Sequence, residues 1–208
     1  MKKLTVLLAS MLLVFLAAGT LAQDVRPIPS EQFLNLVAGK TCPVRVSGYG
    51  TCGEEADIVS ASLSLTVCER DRFDPKVIES LQAGDVIHFG NGETVSVKEV
   101  ASDDTGLTVK SEDEAYYFFK DEAGTYIATN ETDNPYWKDV FTVEVPLEKE
   151  VVFRDFSDPE AKEATVLGFR ELLQKLTDGV SFQPYNAQVT FDENGKLTVF
   201  EYTYSPWN

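Results

Sequence analysis

The sequence predicts an α+β protein that is mainly β, in which a small antiparallel β-barrel or sandwich is followed by one long helix and a C-terminal β-hairpin. Residues 59–67 alternate without a break between apolar and polar side chains, the pattern of a strand with one face in a core and the other in water. Short β-type runs follow, separated by turns rich in glycine and aspartate. After Ser157 the apolar residues recur every three or four positions, which is the period of a helix.

The β-rich region begins with a short helix predicted over residues 30–38, because Ser30 is typical of a helix start and Gly39 of a helix end. Beyond the alternating strand, separators such as residues 90–92 supply glycine and asparagine, which accept the positive φ of tight turns. Short strands at this spacing favour a barrel or sandwich. They are predicted at residues 86–89, 94–100, 107–109, 116–119, 125–128, 140–145 and 151–153.

A long helix is predicted from Ser157 or Asp158 to about Thr177. Either of the first two residues can cap the helix, Pro159 suits its first position and Gly179 ends it. One apolar stripe must lie against a sheet. The stripe consists of Val166, Phe169, Leu173 and Leu176.

Three segments are predicted along the chain. Residues 1–22 form a signal peptide, residues 23–156 a β-barrel-like region with the short N-terminal helix, and residues 157–208 the long helix and a β-hairpin. The strands of that hairpin are expected at residues 187–191 and 196–204. No flexible linker separates the second segment from the third, so both are expected to pack in one domain.

The N-terminus has the order of a secretory signal peptide. Lys2 and Lys3 give a positive start, residues 4–18 are almost entirely apolar, and the small Ala22 precedes the expected cleavage site. The alternative is a retained anchor, since residues 4–22 are just long enough to span a bilayer of ~30 Å. The sequence predicts a secreted or extracytoplasmic protein, or a cell-surface protein if the segment stays in the membrane.

The charge of the chain excludes one class of partner. Its formal net charge is −16 at pH 7, and loss of the two N-terminal lysines would make it more negative still. Such a surface repels nucleic-acid phosphates and anionic membrane faces. We therefore expect no nucleic-acid partner and no stable membrane association after signal cleavage. The expected partner is an extracellular ligand or protein, whose identity the sequence does not specify.

Three cysteines, Cys42, Cys52 and Cys68, lie in a region that is predicted to reach an oxidising compartment. Cys42 and Cys52 form the preferred disulfide pair, because the glycines between them would let the chain turn back. Cys68 is a rival partner for either of them, since spacing alone does not fix the connectivity.

The catalytic and cofactor motifs that we sought are missing. The single histidine, His88, rules out sites that need two imidazoles, and the zinc-protease and nucleophile-elbow motifs are absent. Residues 39–41 resemble the end of a phosphate-binding loop, but Leu34 stands where that loop needs a glycine. We predict no metal and no cofactor, and a non-enzymatic protein is favoured over an enzyme.

The candidate ligand-binding residues are Asn134, Tyr136, Trp137 and Asp139. Tyr136 and Trp137 offer aromatic rings, with an amide and a carboxylate beside them. This combination suits stacking on a sugar ring or gripping a peptide. The alternative is that Trp137 plugs one end of the barrel, since large aromatic side chains are usually well buried.

The favoured function is non-enzymatic binding of, or interaction with, an extracellular glycan, peptide or protein. One alternative is a small extracytoplasmic hydrolase that uses carboxylates, which for a glycosidase requires two carboxyl groups roughly 5 to 10 Å apart across a cleft. Another alternative is an acidic calcium-binding module. Residues 130–134 and 192–195 are its candidate loops, but neither has the spacing of a calcium loop.

Overall fold

The computed structural model describes residues 30–54 and 57–205, so the predicted signal peptide lies outside the described residues. The described part is mainly β, with three sheets and three short helices. In chain order the elements are α1 (Ser30–Val37), β1 (Thr41–Glu54), β2 (Asp57–Arg70), α2 (Pro75–Ile78), β3 (Val86–His88), β4 (Thr94–Ser96), β5 (Glu99–Ser102), β6 (Leu107–Lys110), β7 (Ala115–Lys120), β8 (Tyr126–Asn130), β9 (Trp137–Leu147), β10 (Val152–Phe156), β11 (Thr165–Leu167), α3 (Phe169–Thr177), β12 (Ala187–Phe191) and β13 (Leu197–Thr203).

The largest sheet has seven strands in the order β11-β10-β13-β12-β1-β2-β9. Neighbouring strands are antiparallel except β10 and β13, which run parallel. Residues 41–43 of β1 pair with β12, whereas residues 44–54 pair with β2. Strand β1 therefore joins the C-terminal hairpin β12–β13 to the hairpin that it forms with β2.

The core of the seven-stranded sheet is built from alternating strand residues and from one helix. Strand β2 contains the alternating run that the sequence showed, and its Ala61, Leu63, Leu65 and Val67 are all buried. On the strands at the other end of the sheet, the Phe153 and Phe200 rings meet at 6.1 Å, and Phe182 packs edge to face on Phe200 at 5.0 Å. Phe169, Leu172 and Leu173 of α3 join the same cluster.

Residues 71–136, called the inserted segment below, lie between two strands that are direct neighbours in the large sheet, β2 and β9. The segment forms a two-stranded sheet, β3–β4, and a four-stranded sheet, β5-β6-β7-β8. It buries its own apolar cluster, in which the rings of Phe73, Phe89 and Phe118 lie 5.3 to 6.2 Å from one another. The described chain therefore has two hydrophobic cores.

The predicted barrel or sandwich with one long helix is wrong, because the described strands form three separate sheets and no closed barrel. Strands β3 to β8 follow one another through short turns and pair within the inserted segment. Short turns favour pairing between sequence neighbours. The period of the apolar residues and the identity of the turn residues identify such strands. These local patterns do not show that the strands pair outside the seven-stranded sheet.

The predicted long helix is also wrong, because α3 begins only at Phe169. The preceding Thr165–Leu167 forms β11, which pairs with the otherwise open edge of β10. Thr165 and Val166 are β-branched and suit a strand, and Val166 is 68% exposed, so it is not part of a buried helical stripe. Among the described residues, no helix is long and apolar enough to cross a membrane.

Substitutions of two neighbouring phenylalanines on β7 test the assignment of the apolar core in the inserted segment. Phe118 is 1% exposed in the apolar cluster, whereas Phe119 points outward and is 37% exposed. We expect Phe118→Ala to lower the free energy of unfolding by about 3 to 5 kcal/mol, because it leaves a cavity. Phe119→Ala, the matched control, should lower the free energy of unfolding by a clearly smaller amount. Urea unfolding followed by near-UV circular dichroism measures both, and equal losses would contradict the assigned core.

Candidate ligand-binding cleft

A cleft of about 260 Å³, called the junction cleft below, lies where the inserted segment meets the large sheet. Amide, aromatic and charged side chains from both parts of the molecule line it. Ligand sites occur preferentially at such junctions. The lining residues are Arg45, Asn91, Glu93, Asn130, Asn134, Pro135, Tyr136, Trp137, Gln183, Pro184 and Tyr185.

Three of the four residues predicted to bind a ligand line this cleft: Asn134, Tyr136 and Trp137. The fourth, Asp139, lies two residues into β9 beyond Trp137 and contacts the cleft residue Arg45, with both carboxylate oxygens 2.9 Å from Arg45 Nη1. The four predicted residues, which are close in sequence, therefore also lie close together in the structure. Three of them line the cleft, and Asp139 contacts the cleft residue Arg45.

A tight turn holds Asn134 in place. The side-chain oxygen of Asn130 accepts hydrogen bonds from the backbone nitrogens of Thr132 and Asn134, both at 3.0 Å. Asp133 has φ +60°, which aspartate tolerates better than most residues. Residues 130–134, one of the two acidic segments compared with a calcium loop, thus form an asparagine-stabilised turn.

The ring of Tyr136 belongs to the core of the inserted segment as much as to the cleft. It stacks on Phe89 with a centroid distance of 4.1 Å. Its hydroxyl lies 3.4 Å from Glu93 Oε1, and the Tyr116 hydroxyl lies 3.1 Å from the same oxygen. Burial, reinforced by nearby carboxylates, raises the pKa of both tyrosines above their usual range. Both phenols therefore stay protonated at neutral pH. Tyr136 can donate to Glu93, whereas the Tyr116 hydroxyl lies closer to Glu114 Oε2, at 2.7 Å, than to Glu93.

Trp137 is half-buried, and one face of its indole is already covered. The guanidinium of Arg70, its cross-strand neighbour on β2, lies 4.8 Å from the ring centroid. This is a cation–π distance. A ligand can therefore contact Trp137 through its other face or its edge, but it cannot be sandwiched against the face that Arg70 occupies.

Two polar side-chain atoms of cleft-lining residues lack hydrogen-bond partners, and each is buried away from solvent. Asn134 Oδ1 and Trp137 Nε1 are the buried side-chain atoms of this kind in the described ranges. Buried polar groups in folded proteins are nearly always hydrogen-bonded, so exceptions mark positions that call for an explanation. Both atoms belong to residues that the sequence indicated as ligand-binding.

Arg45 and its partners form a compact polar cluster beside the cleft. Its Nη1 pairs with Asp139, and its Nε donates to Gln183 Oε1 at 3.2 Å. Cys68 lies behind this pair, with its sulfur 3.5 Å from Asp139 Oδ1. The positive charge of Arg45 is therefore balanced within the protein.

Several lining residues carry no local signal in the sequence. Arg45 lies on β1, Glu93 lies just before β4, and Gln183 and Tyr185 lie in the segment between α3 and β12. Arg45 lies near Trp137 because β1, β2 and β9 are neighbours in the sheet. The backbone nitrogen of Val46 donates to Phe182 O at 3.0 Å, which holds the segment of Gln183 and Tyr185 beside β1. The proximity of these residues could therefore be predicted only from the tertiary structure.

A larger cleft, of about 570 Å³, lies on the inserted segment between α2 and β6, and several of its polar groups already have partners within the protein. Lys120 pairs with Glu79 at 2.7 Å. Asp103 Oδ1 accepts from the backbone nitrogens of Thr105 and Gly106 at 2.7 and 3.1 Å. The junction cleft, which three of the four predicted ligand-binding residues line, is the better candidate in spite of its smaller volume.

The acidic turn at residues 192–195 is the hairpin turn between β12 and β13. Asp192 Oδ1 accepts from the backbone nitrogens of Asn194 and Lys196, both at 2.8 Å, and these bonds, with that to Lys196 first, lower the pKa of Asp192. Within the described ranges, no group of three or more histidine, cysteine, aspartate or glutamate side chains is placed to hold a metal ion.

All three cysteines are free in the structure. Cys42 and Cys52, the preferred disulfide pair, lie on the same strand, β1. Ten residues of strand separate their Cα atoms by roughly 30 Å, whereas a disulfide needs roughly 4 to 7 Å. Cys42 and Cys68 are buried and Cys52 is exposed. Burial, reinforced by Asp139, raises the pKa of Cys68 to about 12.

A scan against protein-family models and searches of curated proteins and of solved structures find no match to this chain.

Thiol labelling tests this arrangement of cysteines. The thiolate is the reactive form, so a raised pKa and burial should protect Cys42 and Cys68 at pH 8. We expect iodoacetamide to modify the native protein once, at Cys52, and three times after unfolding in guanidinium. Mass spectrometry counts the additions, and Cys52→Ser should abolish native labelling. An intact mass two hydrogens short, with fewer than three thiols after unfolding, would instead show a disulfide.

Proposed function

We propose that this chain is an exported, non-enzymatic binding protein, and that its junction cleft holds a small polar group of an extracellular glycan, peptide or protein. The order of residues 1–22 supports export to a secreted or extracytoplasmic location. The charge of −16 supports a ligand other than nucleic acid.

The observation that carries this proposal is the junction cleft itself, which Asn134, Tyr136 and Trp137 line together with further amide side chains. Aromatic rings beside amide groups suit contact with a sugar ring or a peptide. A ligand in the cleft would contact the part of Trp137 that Arg70 leaves uncovered and the amide side chains of the lining.

The lining of the cleft favours binding over hydrolysis. Glu93 is the acidic side chain among the described lining residues, and the phenols of Tyr116 and Tyr136 both lie within hydrogen-bond distance of its Oε1. Glycoside hydrolysis uses a pair of carboxyl groups that face each other across the bond to be cleaved. The junction cleft does not supply that pair.

Arrays of glycans and peptides probed with the purified protein test the proposal. Asn134→Ala removes an amide group from the cleft lining, and Trp137→Phe reduces the aromatic surface there while it keeps an aromatic ring over Arg70. We expect each variant to weaken array binding about tenfold, which corresponds to ~1.4 kcal/mol. Circular dichroism and the melting temperature should stay close to those of the unsubstituted protein.

The matched control is Asn35→Ala, because Asn35 is an exposed asparagine on α1 that does not line the cleft. Its binding should equal that of the unsubstituted protein. The proposal fails if no array ligand is bound, or if a bound ligand is indifferent to both cleft variants.

A further inference from the structure

Glu93 contributes a negative charge to the junction cleft that no basic side chain balances. It lines the cleft and is half-buried, and within the described ranges no ion pair includes it. Its Oε2 lies 3.5 Å from Asn91 Nδ2, and its Oε1 lies 3.4 and 3.1 Å from the hydroxyls of Tyr136 and Tyr116. A phenol has one proton to donate, and that of Tyr116 has a closer acceptor in Glu114 Oε2, at 2.7 Å.

The positive side chain among the described lining residues, Arg45, is already paired. Its Nη1 lies 2.9 Å from both oxygens of Asp139, and its Nε donates to Gln183 Oε1 at 3.2 Å. The charge that remains at the lining is therefore the negative one of Glu93. The whole chain has a formal net charge of −16 at pH 7, and the field of such a protein attracts cations. The cleft therefore favours a ligand group with a positive charge.

The shape and the apolar part of the lining suit a cation on a flexible stem. Lysine and arginine carry their charge at the end of a chain of methylene groups, which they bury along apolar surface. Pro135, Trp137 and Tyr185 provide such surface in the cleft. The cleft volume of about 260 Å³ is roughly nine times the ~30 Å³ that a water molecule occupies in the liquid. This is enough for one long side chain but not for a helix or a strand.

Two amide side chains of the lining can bind the backbone of the same ligand. The side-chain oxygen of Asn91 accepts from the backbone nitrogen of Glu93 at 2.9 Å. That of Asn130 accepts from the backbone nitrogen of Thr132 at 3.0 Å. Because these turns use the oxygens, the two side chains can offer their amide N–H groups to a ligand. A peptide that carries lysine or arginine supplies both a cation and carbonyl acceptors for these donors.

We infer that the junction cleft binds a lysine or arginine side chain of an extracellular polypeptide, with the cationic group on Glu93. This inference rests on the proposed function and narrows its ligand class to basic peptides or proteins. A cation that binds the Glu93 carboxylate displaces no existing ion pair. An anion would have to break the pair of Arg45 and Asp139, which carries a penalty for the charge left without its partner.

Calorimetric titration tests the inference with capped tripeptides that carry lysine, arginine, norleucine or glutamate between two glycines, and with the sugars glucose and glucosamine. We expect the lysine or the arginine peptide to bind at least about tenfold more tightly than the norleucine peptide, which has a similar stem but no charge. The Kd of that basic peptide should rise about threefold or more between 50 and 500 mM NaCl, since salt screens a partly exposed ion pair.

Glu93→Gln removes the charge and nearly keeps the shape of the side chain. It should weaken binding of the basic peptide about tenfold and leave binding of the norleucine peptide unchanged. The matched control is Glu122→Gln, which changes the net charge equally, because Glu122 is exposed in the turn between β7 and β8 and does not line the cleft. Its Kd should equal that of the unsubstituted protein. The peptide comparison and the salt series need no variant, so they test the inference even if Glu93→Gln disturbs folding.

The outcomes separate this inference from the proposed function. Equal binding of the basic and norleucine peptides, tighter binding of the glutamate peptide, or equal effects of Glu93→Gln and Glu122→Gln overturn the cationic ligand. Binding of glucosamine, but of neither glucose nor a basic peptide, overturns the polypeptide and leaves the proposed function standing. If no probe binds, the inference fails alone where an array ligand still responds to Asn134→Ala or Trp137→Phe, and both fail where the arrays yield no ligand.

Discussion

The antiparallel pairing of β2 with β9 holds the two parts of the molecule in one arrangement. The pairing reaches the register pair Arg70 and Trp137, and the backbone nitrogen of Asp71 donates to Tyr136 O at 3.1 Å. Both ends of the inserted segment therefore leave the sheet at one point. Gly90 packs so closely on β9 that a Cβ there would lie 2.5 Å from the Cβ of Lys138. The junction cleft lies where the inserted segment, held by these contacts, leaves the sheet.

The cleft combines groups whose hydrogen bonds are complete with groups whose bonds are not. Arg45 is held by Asp139 and Gln183, and Glu93 lies against two phenols. These contacts hold the two charged side chains of the lining in place. Asn134 Oδ1 and Trp137 Nε1 lack partners, but both atoms are buried from solvent. The surfaces that the cleft leaves open therefore include those of the remaining amide and aromatic groups of its lining.

Sequence patterns predicted the elements that depend on neighbouring residues, and they failed where an element depends on pairing with a strand that is distant in sequence. The alternation in β2 and the turn at residues 192–195 are local, and both were recognised. The long helix failed because β10 offers an edge that residues 165–167 can join, a contact that no local period reveals. Asn134, Tyr136 and Trp137 could be grouped as candidates because they are close in sequence, whereas Arg45 and Gln183 reach the cleft only through the tertiary structure.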